Sequence, residues 1–278
     1  MKFAFVTCVQ LGLSCIEKIY EVGGSLDLLI TLHDHKAKNK SGRIYLDDFA
    51  NQHKIDLFKI NHINDQDVVE KIKRKNIDWL FIIGWSQIAG KEVLDAPNRG
   101  AIGMHPTLLP EGRGRAAIPW AILKGLDKTG VTMFKLDTGV DTGDIMGVYE
   151  ISLSKETTAT ELYGKVNDAH QFLIEKVWDD LVTDRLELRK QNDALASYWE
   201  GRRPEDGQLN NSMTMGEAAC LVRATTFPYP GAFFTTEDKK IIVWSGDVQK
   251  ILPDNSQMHL KLKDGYLLPV EYEIVINH

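Results

Sequence analysis

The residues in this chain best suited to moving a proton are His105 and Asp141. His105 closes the apolar run Ala101-Ile102-Gly103-Met104-His105, and Pro106 follows at once, so the ring sits where a strand has to stop. Asp141 lies in the turn Asp137-Thr138-Gly139-Val140-Asp141-Thr142-Gly143-Asp144, which ends a second apolar stretch, Val131 to Leu136. Loops at strand ends are where open α/β sheets keep their chemistry. An imidazole takes up or releases a proton near neutral pH, and a carboxylate beside it orients the ring and stabilises its charged form. Taken alone, His105 reads better as a buried histidine at a strand end, and Asp141 as one member of an acidic turn.

The elements that must position this pair follow from the apolar pattern. Phe3 to Val9 and Leu26 to Leu32 are compact apolar runs of the kind that form strands buried on both faces. Between them Gln10-Leu11-Gly12 reads as a turn and Leu13 to Val22 as a helix closed by Gly23-Gly24. Two strands around one helix are the unit of a parallel sheet. Arg43 to His53 and Asp65 to Lys75 read as helices, and Ile55 to Ile60, Asn76 to Gly84 and Gly100 to His105 as strands. Trp85 to Leu94 leaves its strand as a loop and enters a helix. Ala116 to Lys124 is a short helix, and Val131 to Leu136 and Ile145 to Leu153 are strands around the acidic turn. A long helix begins at Thr157 or Thr158, with Glu161 completing a capping box, and its pattern runs to about Leu188. Leu162, Val166, Ala169, Phe172, Leu173, Val177 and Leu181 form its apolar stripe. Tyr198 to Asn211 marks a boundary, its Gly201 to Gly207 being polar with turn residues. After the helix Met213 to Arg223 come short strands at Gly231 to Thr235, Lys240 to Trp244, Met258 to Leu262 and Leu267 to Glu271, which read as a small barrel-like β domain. The expected division is 1–204 and 205–278.

Composition narrows the function. The 278 residues are 43% hydrophobic and 26% charged, as in a globular protein, with a net charge of -6 and a pI near 5.8. That balance disfavours a broad nucleic-acid face, which needs basic charge against phosphates. Cys8, Cys15 and Cys220 form neither a disulfide framework nor a zinc pattern. His33-Asp34-His35, in the polar segment Thr31 to Ser41, has no third ligand at metal spacing and reads as a solvated loop, so no metal is expected. The start of the chain reads as a first strand rather than a leader, and no apolar run is long enough to span a membrane. A cytoplasmic location is expected. The turn after the first strand lacks a dinucleotide fingerprint.

His105-Pro106-Thr107-Leu108-Leu109-Pro110, Arg113-Gly114-Arg115, Thr129-Gly130-Val131-Thr132 and Asp141-Thr142-Gly143-Asp144, in this order, resemble the formyltetrahydrofolate-dependent formyltransferase family. The tail resembles the C-terminal domain of members that modify methionyl-tRNA or sugar nucleotides, through Arg202-Arg203-Pro204-Glu205-Asp206, Val222-Arg223-Ala224, Pro228-Tyr229-Pro230-Gly231-Ala232-Phe233 and Trp244. The resemblance implies a Rossmann-like, mostly parallel sheet with a small C-terminal β domain, and an enzyme whose co-substrate is N10-formyltetrahydrofolate. It implies His105 and Asp141 as the catalytic pair. It also implies a folate pocket at Trp85, Gln87, Ile88, Ala89, Leu109, Leu136 and Val140. The aromatic-proline cluster of the tail is expected to be packing.

In such a transfer an amine attacks the formyl carbon, an oxyanion forms, and the folate nitrogen leaves. Family members usually read Asn-x-His-Pro, with the asparagine amide on the formyl oxygen, whereas this chain has Gly103-Met104-His105-Pro106. Loss of one oxyanion donor typically costs about 3–4 kcal/mol, so the expectation is an ordered water or a donor from another loop above Gly103. From Glu205 onward six basic residues face ten acidic ones, which disfavours tRNA and favours a nucleotide-linked amino sugar as acceptor. Gln10, Gly12, Arg113 and Arg115 are its candidate contacts, with loop fixing an equal reading for the two arginines. Methionyl-tRNA formylation, hydrolysis of formyl-folate and a catalytically dead binding module remain as alternatives, and a homodimer is left open.

Overall fold

The computed structural model describes residues 1–37, 42–236, 238–253 and 258–276. The chain divides into two compact units. One holds Met1–Arg113, Gly130–Ile151 and Val166–Tyr198, and the other Gly114–Thr129, Ser152–Lys165 and Trp199–His278.

The first unit is a seven-stranded, mostly parallel sheet with helices on its faces. Strands β1 (Phe3–Val6) and β2 (Leu28–Leu32) are buried along their whole length, as expected of strands covered on both sides. Helix α1 (Gln10–Glu21) joins them. It begins at Gln10, so Gln10, Leu11 and Gly12 are its first turn and not the loop expected from the glycine. Next come α2 (Asp34–Ala37), α3 (Asp47–His53), β3 (Asp56–Ile60), α4 (Gln66–Lys75) and β4 (Trp79–Ile82). The expected loop at Thr31 to Ser41 is thus interrupted by a turn of helix, and its residues 38–41 lie outside the described residues. Helix α5 (Lys91–Leu94) leads into β5 (Gly100–His105). After the two-residue strand β6 (Arg113–Gly114) and helix α6 (Ala117–Leu123) come β7 (Lys128–Lys135) and β8 (Ile145–Ser152).

The strand order is β3-β2-β1-β4-β5-β7-β8. The first five run parallel, and β7 is antiparallel to β5, with His105 opposite Thr132 and Met104 opposite Met133. The chain winds outward through β2 and β3 and then returns to add β4 and β5 on the other side of β1. The order therefore reverses between β1 and β4, which makes the carboxyl ends of these strands the natural place for a ligand. One face of the sheet (Ala4, Val6, Leu28, Ile30, Leu80) packs on α4 and α5 through Val68, Val69, Ile72, Val93 and Leu94. On the other face Phe3 meets Trp178 at a ring separation of 4.8 Å and Phe5 stacks on Phe81 at 5.5 Å.

Trp178 belongs to the long helix α7 (Ala159–Val182), whose stripe Leu162, Val166, Ala169, Leu173, Val177 and Leu181 is buried. Phe172 does not belong to that stripe. It precedes Leu173 by one residue, about 100° around the helix, is 45% exposed, and packs in a tilted arrangement on Tyr149 at 4.7 Å. The helix also stops six residues before the expected Leu188. Asp184 turns left-handed (φ 60°) and Arg185 donates its amide to the Asp180 carbonyl at 2.8 Å, a helix ending without the usual glycine.

In the second unit α8 (Met215–Thr225) starts with a capping box of Thr214 and Glu217. It packs Ala218, Leu221 and Val222 against Ala232, Phe234, Ile241, Val243 and Leu267. The last of these lie on the half-barrel sheet of β10 (Ala232–Thr235), β11 (Lys239–Gln249), β12 (Leu260–Lys261) and β13 (Tyr266–Ile276), with β9 (Tyr198–Trp199) pairing β6 earlier in the chain. Strands β11 and β13 are longer than their apolar runs because they pair with one another along almost their whole length. Within the aromatic-proline cluster Phe227 stacks on Trp244 at 3.9 Å. Among the described residues no helix is long and apolar enough to cross a membrane.

Candidate active site

His105 ends β5, 8% exposed, with its ring held from both sides. The Gly112 carbonyl lies 2.8 Å from Nε2 and can only accept, so this nitrogen donates and carries the hydrogen. Nδ1 then faces Asp141 Oδ2 at 3.5 Å. The tautomer follows from these partners. Two acceptors flank the ring, one of them a carboxylate. A base with such surroundings accepts a proton from a reacting group at Nδ1 and returns it later.

Asp141 is held in a conformation that few residues adopt. Its φ is 54°, in the left-handed region, where a non-glycine residue is strained. The backbone of its loop is clamped by Gln191, whose Nε2 donates to the carbonyls of Asp141 and Gly143, both at 2.8 Å. Gln191 is held in turn by Arg113, which donates to its Oε1 from Nε at 3.1 Å and Nη2 at 2.8 Å. Arg113 also reaches Asp193 Oδ1 at 2.6 Å and Tyr198 Oη at 3.0 Å. Burial works against the Arg113 charge, yet the bonds to Asp193 and Tyr198 outweigh it and hold the guanidinium above its ordinary range. The same downstream segment fixes the partner of His105: Ser197 Oγ accepts from the Gly112 amide at 2.9 Å, and the Ser197 carbonyl accepts from the Arg113 amide at 2.9 Å.

Arg113 is therefore not a substrate contact. It is 2% exposed and each terminal nitrogen has a protein partner, which is the loop-fixing alternative. Arg115 is exposed and belongs to the second unit. The two α1 positions also differ from expectation. The Gln10 amide donates to the Gly42 carbonyl at 2.7 Å and the Gly12 amide to Val9 at 3.0 Å, so neither is left for a phosphate. Gly12 is required for packing, since a Cβ there would lie 1.9 Å from Thr7 Oγ1.

Of the candidate folate residues, Trp85, Ala89 and Leu136 pack on one cluster of the sheet, and Leu109 joins Leu136 beside Phe134 and Ile145. Ile88 and Val140 are apolar yet 85% and 55% exposed. The Gln87 side chain braces the preceding loop, accepting from the Ile63 amide at 2.8 Å and donating to the Asn61 carbonyl at 3.1 Å. The Ile88 carbonyl already accepts from Asn64 Nδ2 at 2.9 Å.

The space above Gly103 is filled. A Cβ there would sit 2.6 Å from Leu136 Cδ2 and 3.1 Å from its Cγ. An apolar side chain thus occupies the place where a water or a second donor was expected. Two residues beyond His105, Thr107 is 2% exposed and its hydroxyl has no hydrogen-bond partner among the described residues. Helix α7 brings His170 near the pair. Burial lowers its pKa to about 4, against a hydrogen bond to the Val166 carbonyl, and the charge of His105 adds to the fall. His170 therefore stays neutral beside the pair. Gln191, Ser197 and His170 carry no motif that sequence reading could have used. In the earlier metal candidate, Asp34 pairs with Arg43 and Lys59 while the rings of His33 and His35 stack at 5.7 Å.

The chain is 30% identical to a methionyl-tRNA formyltransferase of Clostridioides difficile (strain 630) over 258 residues, covering 92% of this chain and 82% of that one. It is 28% identical to the bifunctional polymyxin resistance protein ArnA of Wigglesworthia glossinidia brevipalpis, over 88% of this chain but only 37% of that protein. Its fold is similar to the crystal structure of an N-formyltransferase from Helicobacter canadensis in complex with folinic acid and dTDP-3-aminofucose, with a TM-score of 0.73, 18% identity, and coverage of 98% and 100% of the two chains. The formyl transferase pattern matches residues 20–177, which include both His105 and Asp141, and the formyl transferase C-terminal domain pattern matches residues 202–272. With His105 and Asp141 inside the first match and the half-barrel inside the second, the chain belongs to the formyl transferase family.

Proposed function

We propose that this enzyme moves a formyl group from N10-formyltetrahydrofolate to the amine of a nucleotide-linked amino sugar. The observation that carries the chemistry is the His105–Asp141 pair, 3.5 Å apart at the end of β5, with the strained Asp141 locked by Gln191. The formyl-folate donor is supported by the family and by a structural neighbour bound to folinic acid. The amino-sugar acceptor is supported by that neighbour's dTDP-3-aminofucose and by the acidic balance of the segment after residue 204. In this reading residues 1–204 carry the catalytic chemistry and 205–278 form an accessory domain.

The neutral amine attacks the formyl carbon, and its proton passes to His105 Nδ1, where Asp141 stabilises the imidazolium. The oxyanion takes a hydrogen bond from the Thr107 hydroxyl, since Leu136 closes the place of a side-chain amide at Gly103. Collapse breaks the bond to N10, and the imidazolium returns the proton to that nitrogen. No covalent enzyme intermediate is needed. Leu109, Leu136, Ala89, Ile88 and Val140 supply the apolar wall for the pterin.

Relatives named methionyl-tRNA formyltransferase favour a second reading with aminoacyl-tRNA as acceptor. Incubating the protein with formyl-folate and a panel of nucleotide-linked amino sugars, or with methionyl-tRNA at physiological salt, separates the two. A formylated sugar nucleotide is the expected product. Formylated tRNA in its place would replace the proposed acceptor, and formate alone would indicate a hydrolase.

A further inference from the structure

A second polar cluster stands at the carboxyl ends of β1, β2 and β3, away from the His105–Asp141 pair. Its centre is Arg43, whose side chain is only 9% exposed. A guanidinium has five N–H donors. Here Nη2 meets Asp34 Oδ1 at 3.2 Å and the guanidinium lies over the Tyr45 ring at 4.3 Å, while Nε and Nη1 are buried with no hydrogen-bond partner among the described residues. Asp34 also receives Lys59 Nζ at 3.3 Å, and Lys59 reaches Asp47 at 2.8 Å. Across β2 and β3, Thr31 stands opposite Lys59, and its buried hydroxyl likewise has no partner among the described residues. Opposed residues on neighbouring strands share a face of the sheet.

The charges are layered. The carboxylates of Asp34 and Asp47 are 53% and 45% exposed, whereas the cations of Arg43 and Lys59 are 9% and 26% exposed. The buried side of the cluster is thus cationic and donor-rich, and its acidic members face water. A buried guanidinium with most of its donors unpaired calls for an acceptor that also carries charge, and a phosphate oxygen is the strongest such group. The backbone places the cluster beside the substrate crevice. The Ile44 amide donates to the Cys8 carbonyl at 3.1 Å and the Gln10 amide to Gly42 at 2.7 Å, pinning Gly42–Ile44 against the end of β1. From β2 to β5 there are three strand spacings, about 14 Å. One sugar ring with its glycosidic linkage, plus the reach of an arginine side chain, spans that gap.

We propose that Arg43, assisted by Thr31, binds the diphosphate of the acceptor and selects for nucleotide-linked substrates. The proposal rests on the acceptor class argued above and adds the site that reads it.

The test compares the full chain with Arg43→Ala, Arg43→Lys and Thr31→Val, each checked for an unchanged thermal transition. Steady-state kinetics are measured against both co-substrates, and binding of inorganic pyrophosphate and of nucleoside diphosphates is measured by calorimetry. Arg43→Ala should raise the KM for the sugar nucleotide at least tenfold while the KM for formyl-folate stays within twofold. Arg43→Lys should recover part of the loss, and Thr31→Val should show a smaller rise of the same kind. Pyrophosphate should bind the native protein and bind Arg43→Ala at least tenfold more weakly. A rise confined to the KM for formyl-folate would assign the site to the folate glutamate and overturn the proposal. Equal pyrophosphate binding by native and Arg43→Ala protein, or none by either, would overturn it whatever the acceptor proves to be. If the native enzyme formylates tRNA and no sugar nucleotide, the acceptor reading fails separately, and Arg43-dependent pyrophosphate binding still decides the site.

Discussion

Gln191 is the residue on which the geometry of the pair depends most, although it touches neither His105 nor any reacting atom. Four hydrogen bonds meet at its amide: two to the carbonyls of Asp141 and Gly143 and two from Arg113. At about 1 kcal/mol net for each bond, with water replacing some of them, Gln191→Leu should lower stability by about 2–4 kcal/mol. The loop it releases is strained, because Asp141 has a φ of 54°, and left-handed geometry costs a non-glycine residue about 1–2 kcal/mol. Freed of the clamp, Asp141 relaxes and its carboxylate swings from Nδ1. A displacement of about 1 Å in such a constellation costs about 100-fold in rate.

Gln191→Glu separates the two effects. Its carboxylate keeps the bonds from Arg113, now charge-assisted, but turns an acceptor toward two carbonyls. Stability should fall little while kcat falls about 100-fold and the KM values hold. The assay is chemical denaturation beside steady-state formyl transfer, with the pH profile recorded for each variant. Turnover within twofold of native in Gln191→Glu, with the native pH profile, would refute the clamp.

Three further outcomes are expected. His105→Asn and Asp141→Asn should each lower kcat by at least about 100-fold with the fold intact by circular dichroism, since asparagine tolerates the left-handed geometry of position 141; a variant keeping most of its turnover removes that residue from the mechanism. Burial holds His170 at a pKa of about 4, so between that value and its ordinary 6.5 the unfolded chain binds a proton that the native state refuses. Stability should therefore be full above pH 6.5 and fall by about 3 kcal/mol on acidification to pH 4, and urea titrations of His170→Gln should lack that loss. Gly103→Asn should gain nothing alone, because its side chain meets Leu136, and should cost about 1–3 kcal/mol of stability; paired with Leu136→Ala the strain should disappear, and a single variant as stable as native would contradict the packing.

How much of this was legible in the sequence depended on which signal each residue carried. The strands β1, β2 and β5 were visible because burial on both faces leaves an unbroken apolar run, and His105 was visible because Pro106 stops its strand. Asp141 stood out through the glycines around it, although its own φ is the left-handed one. Other features left no trace. Arg113 looks like any loop arginine until burial shows that all its nitrogens are engaged, and Gln191 lies fifty residues beyond the loop it clamps. Phe172 was misassigned because one residue of helix rotation moves a side chain off the stripe. The contents of the space above Gly103 depend on Leu136, which reaches it only because β7 pairs antiparallel with β5.

Position 103 and the clamp are connected through the loop that follows β7. The Leu136 amide donates to the Ala101 carbonyl at 2.8 Å, extending the β5–β7 pairing by one residue and setting the leucine side chain over Gly103. A larger residue at 103 would push Leu136 outward, and with it the start of the segment that carries Asp141. The glycine therefore lets this loop lie close to β5, at the expense of a side-chain donor. Farther along, Gln191 fixes the same loop at Asp141 and Gly143, while Ser197 fixes the Gly112 carbonyl that holds the opposite side of the His105 ring. One segment, Gln191 to Ser197, thus sets both partners of the histidine. The 3.5 Å between Nδ1 and Asp141 exceeds the roughly 2.7–2.9 Å of a closed charge-assisted bond. In the proposed mechanism that slack lets Nδ1 take a proton from an incoming amine before it tightens onto the carboxylate. The proposed cycle requires that neither loop drifts, and the bonds that hold both loops come from residues outside the motif that first revealed the pair.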